Sequence, residues 1–217
     1  SDFYTGAFPA EIGNALSGAF DLQFRNGNTE RAEHSFQLGT LGVEAATEGP
    51  FKKGGKASYL INYRYSTLTL LKDYFDLGGV LPEYQDGSFK VNLPTKKSGT
   101  FTIWGLGGYN VAASNPEKDS SKWDDDHLNI KYDSRNHMYT GGISHQYFIN
   151  KDGYIKTIIA ASQDKAGNDA DTLNPGNNYE RVAVQKSSIT NNAIRASVMY
   201  NQKLNAQHTF RAGVVGQ

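Results

Sequence analysis

Two acidic runs are the first candidates for chemistry. WDDDH at 123–127 clusters carboxylates that suit Ca²⁺, which takes oxygen ligands. Its spacing does not follow the D-x-[DN]-x-[DN]-G pattern of a calcium loop, so it reads as a solvated loop. DKAGNDADT at 164–172 reads the same way. The histidines, His34, His127, His137, His145 and His208, are scattered and form no i, i+4 pair, so no zinc site is expected. His145 falls in phase with an apolar face, which suits an interfacial position better than a ligand role. Nucleophile and phosphate signatures are missing: there is no G-x-S-x-G and no P-loop. Ser17 in NALSG precedes a strand pattern, not the strand–turn–helix that strains a nucleophilic serine. The expectation is a protein that is not an enzyme and holds neither metal nor cofactor.

Composition narrows the class further. The 217 residues include 23 Gly, 13 Tyr and 11 Phe but no Cys. Disulfides and thiolate metal sites are thereby excluded. Abundant Gly and Tyr suit β-structure with tight turns and aromatic surface. Formal net charge is zero, with 22 basic and 22 acidic residues, which argues against a nucleic-acid partner. No run approaches the ~18 apolar residues of a transmembrane helix, though strands of a β-barrel give only a weak, alternating signal.

Alternation is the dominant pattern, and it sets the elements that must position any site. In SYLINYRYST, Tyr59, Ile61, Tyr63 and Tyr65 share one face, while Ser58, Asn62, Arg64 and Ser66 share the other. Phe89, Val91 and Leu93 oppose Ser88, Lys90 and Asn92. Ile194, Ala196, Val198 and Tyr200 oppose Arg195, Ser197 and Asn201, and Phe210, Ala212 and Val214 oppose Thr209 and Arg211. Connections fall into a short set (52–56, 95–99, 150–153, 204–208) and a long polar set (about 67–83, 113–134, 164–184) that alternate along the chain. LTLLKDYFDLGGVL at 68–81 has helix-like spacing and reads either as a short helix or as a self-packed loop. Short turns at one end and long loops at the other are the habit of outer-membrane barrels. Together with aromatic-rich apolar faces, they predict an all-β, antiparallel transmembrane barrel, incomplete here, with roughly nine strands after Asn28. The rival is an ordinary antiparallel sheet with one buried face. Glu44, Glu48, Arg64, Lys90, Arg195 and Arg211 lie on the polar face and are the candidates to face a wet lumen.

The opening segment FPAEIGNALSG at 8–18, followed by FDLQFRNGN, carries a resemblance. It is similar to the plug–barrel junction of TonB-dependent outer-membrane receptors of the Bacteroidetes type. Ala10, Glu11, Gly13, Asn14, Ala15, Ser17 and Gly18, then Phe20, Leu22 and Phe24, match that family's small-residue segment and short strand. Ile12 stands where the family usually has an aromatic. LGVEAATEGPF at 41–51 resembles the family's second barrel strand. A fixed charge at Glu11 suits pairing with a wall arginine.

The resemblance implies a division at residue 28: 1–28 as the C-terminal end of a plug domain, 29–217 as the N-terminal part of the barrel. On that reading the chain is a fragment of a larger plugged barrel in the cell outer membrane. It would bind a scarce substrate and import it by TonB-driven plug movement. The alternative is a non-transporting barrel scaffold subunit of an outer-membrane complex. Implied partners are outer-membrane lipid, TonB through a segment outside this sequence, and a surface lipoprotein or other outer-membrane subunits. Glu11, Gly13, Asn14, Ser17 and Gly18 are the implied junction residues. A soluble β-sandwich, with a dry interior between two sheets, is the non-membrane rival.

Overall fold

The structure is a computed structural model that describes residues 2–6, 8–13, 17–68, 80–114, 116, 119–123 and 129–217. Asn14, most of WDDDH and most of the 68–81 segment lie outside the described residues. Strands β1 (Asp2–Tyr4) and β2 (Ala19–Asp21) pair as a small antiparallel ribbon. Its Phe3 and Phe20 rings stack with centroids 4.2 Å apart. The remaining strands are β3 (Glu33–Leu38), β4 (Gly42–Pro50), β5 (Ser58–Ser66), β6 (Val80–Pro94), β7 (Thr100–Ser114), β8 (Ile130–Phe148), β9 (Gly153–Asn174), β10 (Glu180–Lys203) and β11 (Thr209–Gly216). They form one nine-stranded sheet in sequence order, each strand antiparallel to the next.

The all-β, antiparallel expectation describes this sheet; the barrel does not. β3 and β11 are its two ends and do not pair with each other, so the sheet is open. The loop pattern misled for a simple reason. Any up-and-down meander puts alternate connections at opposite ends, whether or not it closes. Residues 164–184 are not a long loop either. β9 runs through DKAGNDADT to Asn174, and a tight turn at 175–179 leads into β10. Polar cross-strand pairs hold this stretch in register: Asn191 Nδ2 donates to Asp164 at 2.8 Å, and Tyr132 Oη donates to Asn168 at 2.7 Å. Residues that are polar on both faces give no alternation to read, so the strand ends were hidden.

Short turns are built by local side-chain capping. Thr95 Oγ1 accepts from Ser98 N, and Asn205 Oδ1 accepts from both Gln207 N and His208 N. Gly99 ends the 95–99 turn at φ +78°, where a side chain would be strained and would run into Gln146 O.

The sheet has two unlike faces. Residues directly opposite in register share a face, so Tyr59, Val91, Ile103, Ile143, Ile159 and Ala196 form one apolar row. Ile61, Phe89, Gly105, Gly141, Ala161 and Ile194 form the next. Aromatic rings lie over two glycines in this band: a Cβ on Gly105 would come 2.6 Å from Phe89 Cε1, and one on Gly107 would meet Tyr139. Little covers the band, since Ile143 is 53% exposed and Ile159 59%. Among the described residues Leu173 is the only buried hydrophobic side chain. Stable domains bury apolar faces between two layers, and among the described residues no second layer lies on this apolar face.

Candidate functional site

The opposite face is polar and carries a strap. One row crosses every strand from β3 to β10: Glu33, Glu48, Leu60, Lys90, Trp104, Gly142, Ala160, Arg195. A second row runs Glu44, Arg64, Asp86, Gly108, Met138, Asp164. Arg211 sits opposite Asn201, in phase with Arg195. The residues expected to face a lumen therefore share one face, but no closed wall surrounds it.

The described N-terminal residues, 2–6, 8–13 and 17–33, form a strap across this face. Arg25 grips Glu48 with both guanidinium nitrogens, Nη1 to Oε2 and Nη2 to Oε1, each at 2.5 Å. Asn28 N adds a third hydrogen bond to Glu48 Oε2 at 2.8 Å. The Arg25 hydrogen bonds, then Asn28 N–H, hold the Glu48 carboxyl below its usual value against an opposing cost of burial. Lys90 Nζ donates to Phe24 O at 2.6 Å and ties the strap to β6. Burial and, after it, the charge of Lys156 on β9 push the Lys90 ammonium below its ordinary value. At the far end Arg211 Nη1 lies 3.6 Å from Glu11.

Other predicted residues are placed as follows. Arg64 donates to Asp86 at 2.8 Å and lies over the Tyr84 ring, 5.3 Å from its centroid. That hydrogen bond is the main reason its guanidinium is raised. Glu44 accepts from Asn62 Nδ2 at 2.6 Å. Gly13 stands in open space, whereas a Cβ on Gly18 would come 3.1 Å from the Phe3 ring. Ser17 is in a bend just before β2. His145 stacks on Phe101 with centroids 4.3 Å apart and donates Nε2–H to Ser98 O at 2.6 Å. Among the described residues no three His, Cys, Asp or Glu side chains come together to hold a metal ion.

Sequence reasoning missed Arg25 and Lys156. Arg25 was legible as the polar-phase residue of FDLQFR, in phase with Asp21 and Gln23, but nothing in that pattern named its partner. Lys156 was legible as the polar-phase residue of YIKTIIAAS, but Ile158 shares its phase and blurred the pattern.

Fold and face define an open antiparallel meander with a strapped polar face and a bare apolar one. No family model, curated protein or solved structure matches the chain. The resemblance to TonB-dependent receptors is therefore corrected. It rested on a short small-residue motif and on meander features that a closed barrel and an open sheet share. The import function, the barrel-scaffold alternative, the outer-membrane location and the lipid, TonB and lipoprotein partners all required the barrel, and they go with it.

Proposed function

We propose that this protein is a non-enzymatic assembly module that pairs with a second copy of itself, apolar face to apolar face. The observation that carries the reading is the apolar band of the sheet, which no second layer covers among the described residues. Two such sheets stack about 10 Å apart and bury both bands as a sandwich core. The area suffices. From Tyr139 to Tyr147 along β8 the band is about 27 Å tall, and strands β5 to β10 span about 24 Å. That gives roughly 650 Å² per copy before side-chain relief is counted, close to the ~800 Å² per partner of stable complexes. Zero net charge removes self-repulsion. The polar faces then point outward on both sides of the pair.

Sedimentation equilibrium tests this. The expected result is a dimer whose population rises with concentration. Ile143→Glu puts an unpaired carboxylate at the centre of the interface, a cost of several kcal/mol that raises Kd by a factor on the order of 1000. Ser144→Glu, on the polar face, leaves the dimer intact. A monomer at every concentration, equal association of the Ile143→Glu variant and wild type, or solubility only with an added amphiphile overturns the proposal.

A further inference from the structure

A cavity of about 590 Å³ lies between the strap and the polar face at β9–β11. Tyr4, Ile12 and Phe20 line it from the strap side, and Tyr154, Ile158 and Met199 from the sheet. Its charged lining is Lys156, Arg195 and Arg211 against Glu11 and Asp21. The two acids have partners: Glu11 has Arg211, and Asp21 accepts from Gln23 Nε2 at 2.9 Å. Among the described residues neither Lys156 nor Arg195 has a carboxylate within 4.0 Å. Both point to the same face, because Lys156 is opposite Met199 and Arg195 is four residues before it on β10. That offset separates their Cα atoms by about 14 Å along the strands. Ile158, Ser197 and Val215 lie between the two cations on the sheet, so a mainly apolar stretch separates them, and the cavity's volume falls in the ~300–1,000 Å³ range of small-molecule sites.

We propose that this cavity is a binding site for a small molecule with two acidic groups on an apolar spacer, one group held by Lys156 and the other by Arg195. A single small anion reaches only one cation and leaves the other unmatched. A linear dicarboxylate meets both charges and lays its methylenes against Ile158 and Val215. The site is independent of the proposed dimer, which uses the opposite face.

Titration calorimetry on the intact chain tests the site with linear dicarboxylates from succinate to suberate, and heptanoate as the monoacid control. One chain length is expected to bind about tenfold tighter than heptanoate, with binding weakened by salt. Lys156→Gln and Arg195→Gln each remove that advantage, while Lys156→Arg keeps it. Circular dichroism separates lost folding from lost binding, and the Lys156→Arg result stands if the glutamine variants fail to fold. The proposal is overturned if no diacid binds at millimolar concentration, if diacid and monoacid bind equally, or if both glutamine variants bind as the wild type does.

Discussion

Glu48 is the residue whose change should release the strap. It accepts a bidentate grip from Arg25 and a backbone hydrogen bond from Asn28, and its side chain is 12% exposed against 66% for Arg25. Glu48→Gln keeps the shape and removes the charge. One amide oxygen still accepts, but the NH₂ group now faces a guanidinium donor. A charge-assisted hydrogen bond contributes about 1.5–3 kcal/mol where it is shielded, and an exposed ion pair about 0–1. With one partner shielded and one in water, the loss is about 1–2 kcal/mol, a factor of roughly 5–30 in the opening equilibrium. Hydrogen exchange at the Asn28 amide, which donates to Glu48, reads this directly: it should exchange faster by that factor while β7–β9 stay unchanged. A double-mutant cycle with Arg25→Met should show the two changes to be strongly non-additive.

Acid should do what the substitution does. The folded-state pKa of Glu48 is depressed, so its contribution is present above the unfolded value of about 4.3 and is lost as pH falls through the lower folded value. Wild type therefore loosens at Asn28 below about pH 4, and Glu48→Gln is flat there. Unchanged exchange in Glu48→Gln, or additive behaviour with Arg25→Met, would refute the clamp.

Further expectations concern packing and surface pairs. Gly27→Ala places a Cβ against the carbonyl of Tyr59, so it should lower Tm more than Gly105→Ala, whose Cβ meets a Phe89 ring that is able to turn. Gly142→Ala puts its Cβ 2.5 Å from Ile159 O and should cost about 1–3 kcal/mol in chemical denaturation. Arg64→Met loses a half-exposed pair with Asp86 and a ring contact, and should change stability by less than about 1 kcal/mol.

Alternation by itself marked most of the strands and which side chains share a face. Side-chain period in a strand is fixed at two, so Lys90, Arg195 and Arg211 were assigned to the polar face from sequence alone, and register puts them there. Strand ends in β9 and β10 were not legible, because Asp164, Asn168, Asn191 and their neighbours are polar on both faces and are held by cross-strand hydrogen bonds. Closure was not legible either. Whether a ninth strand returns to the first depends on the twist and stagger summed over the whole sheet, and no local pattern encodes that sum. The strap is a tertiary fact of the same kind. Arg25 and Glu48 are 23 residues apart with nothing between them to announce the pair, and only the folded chain brings the guanidinium to the carboxylate.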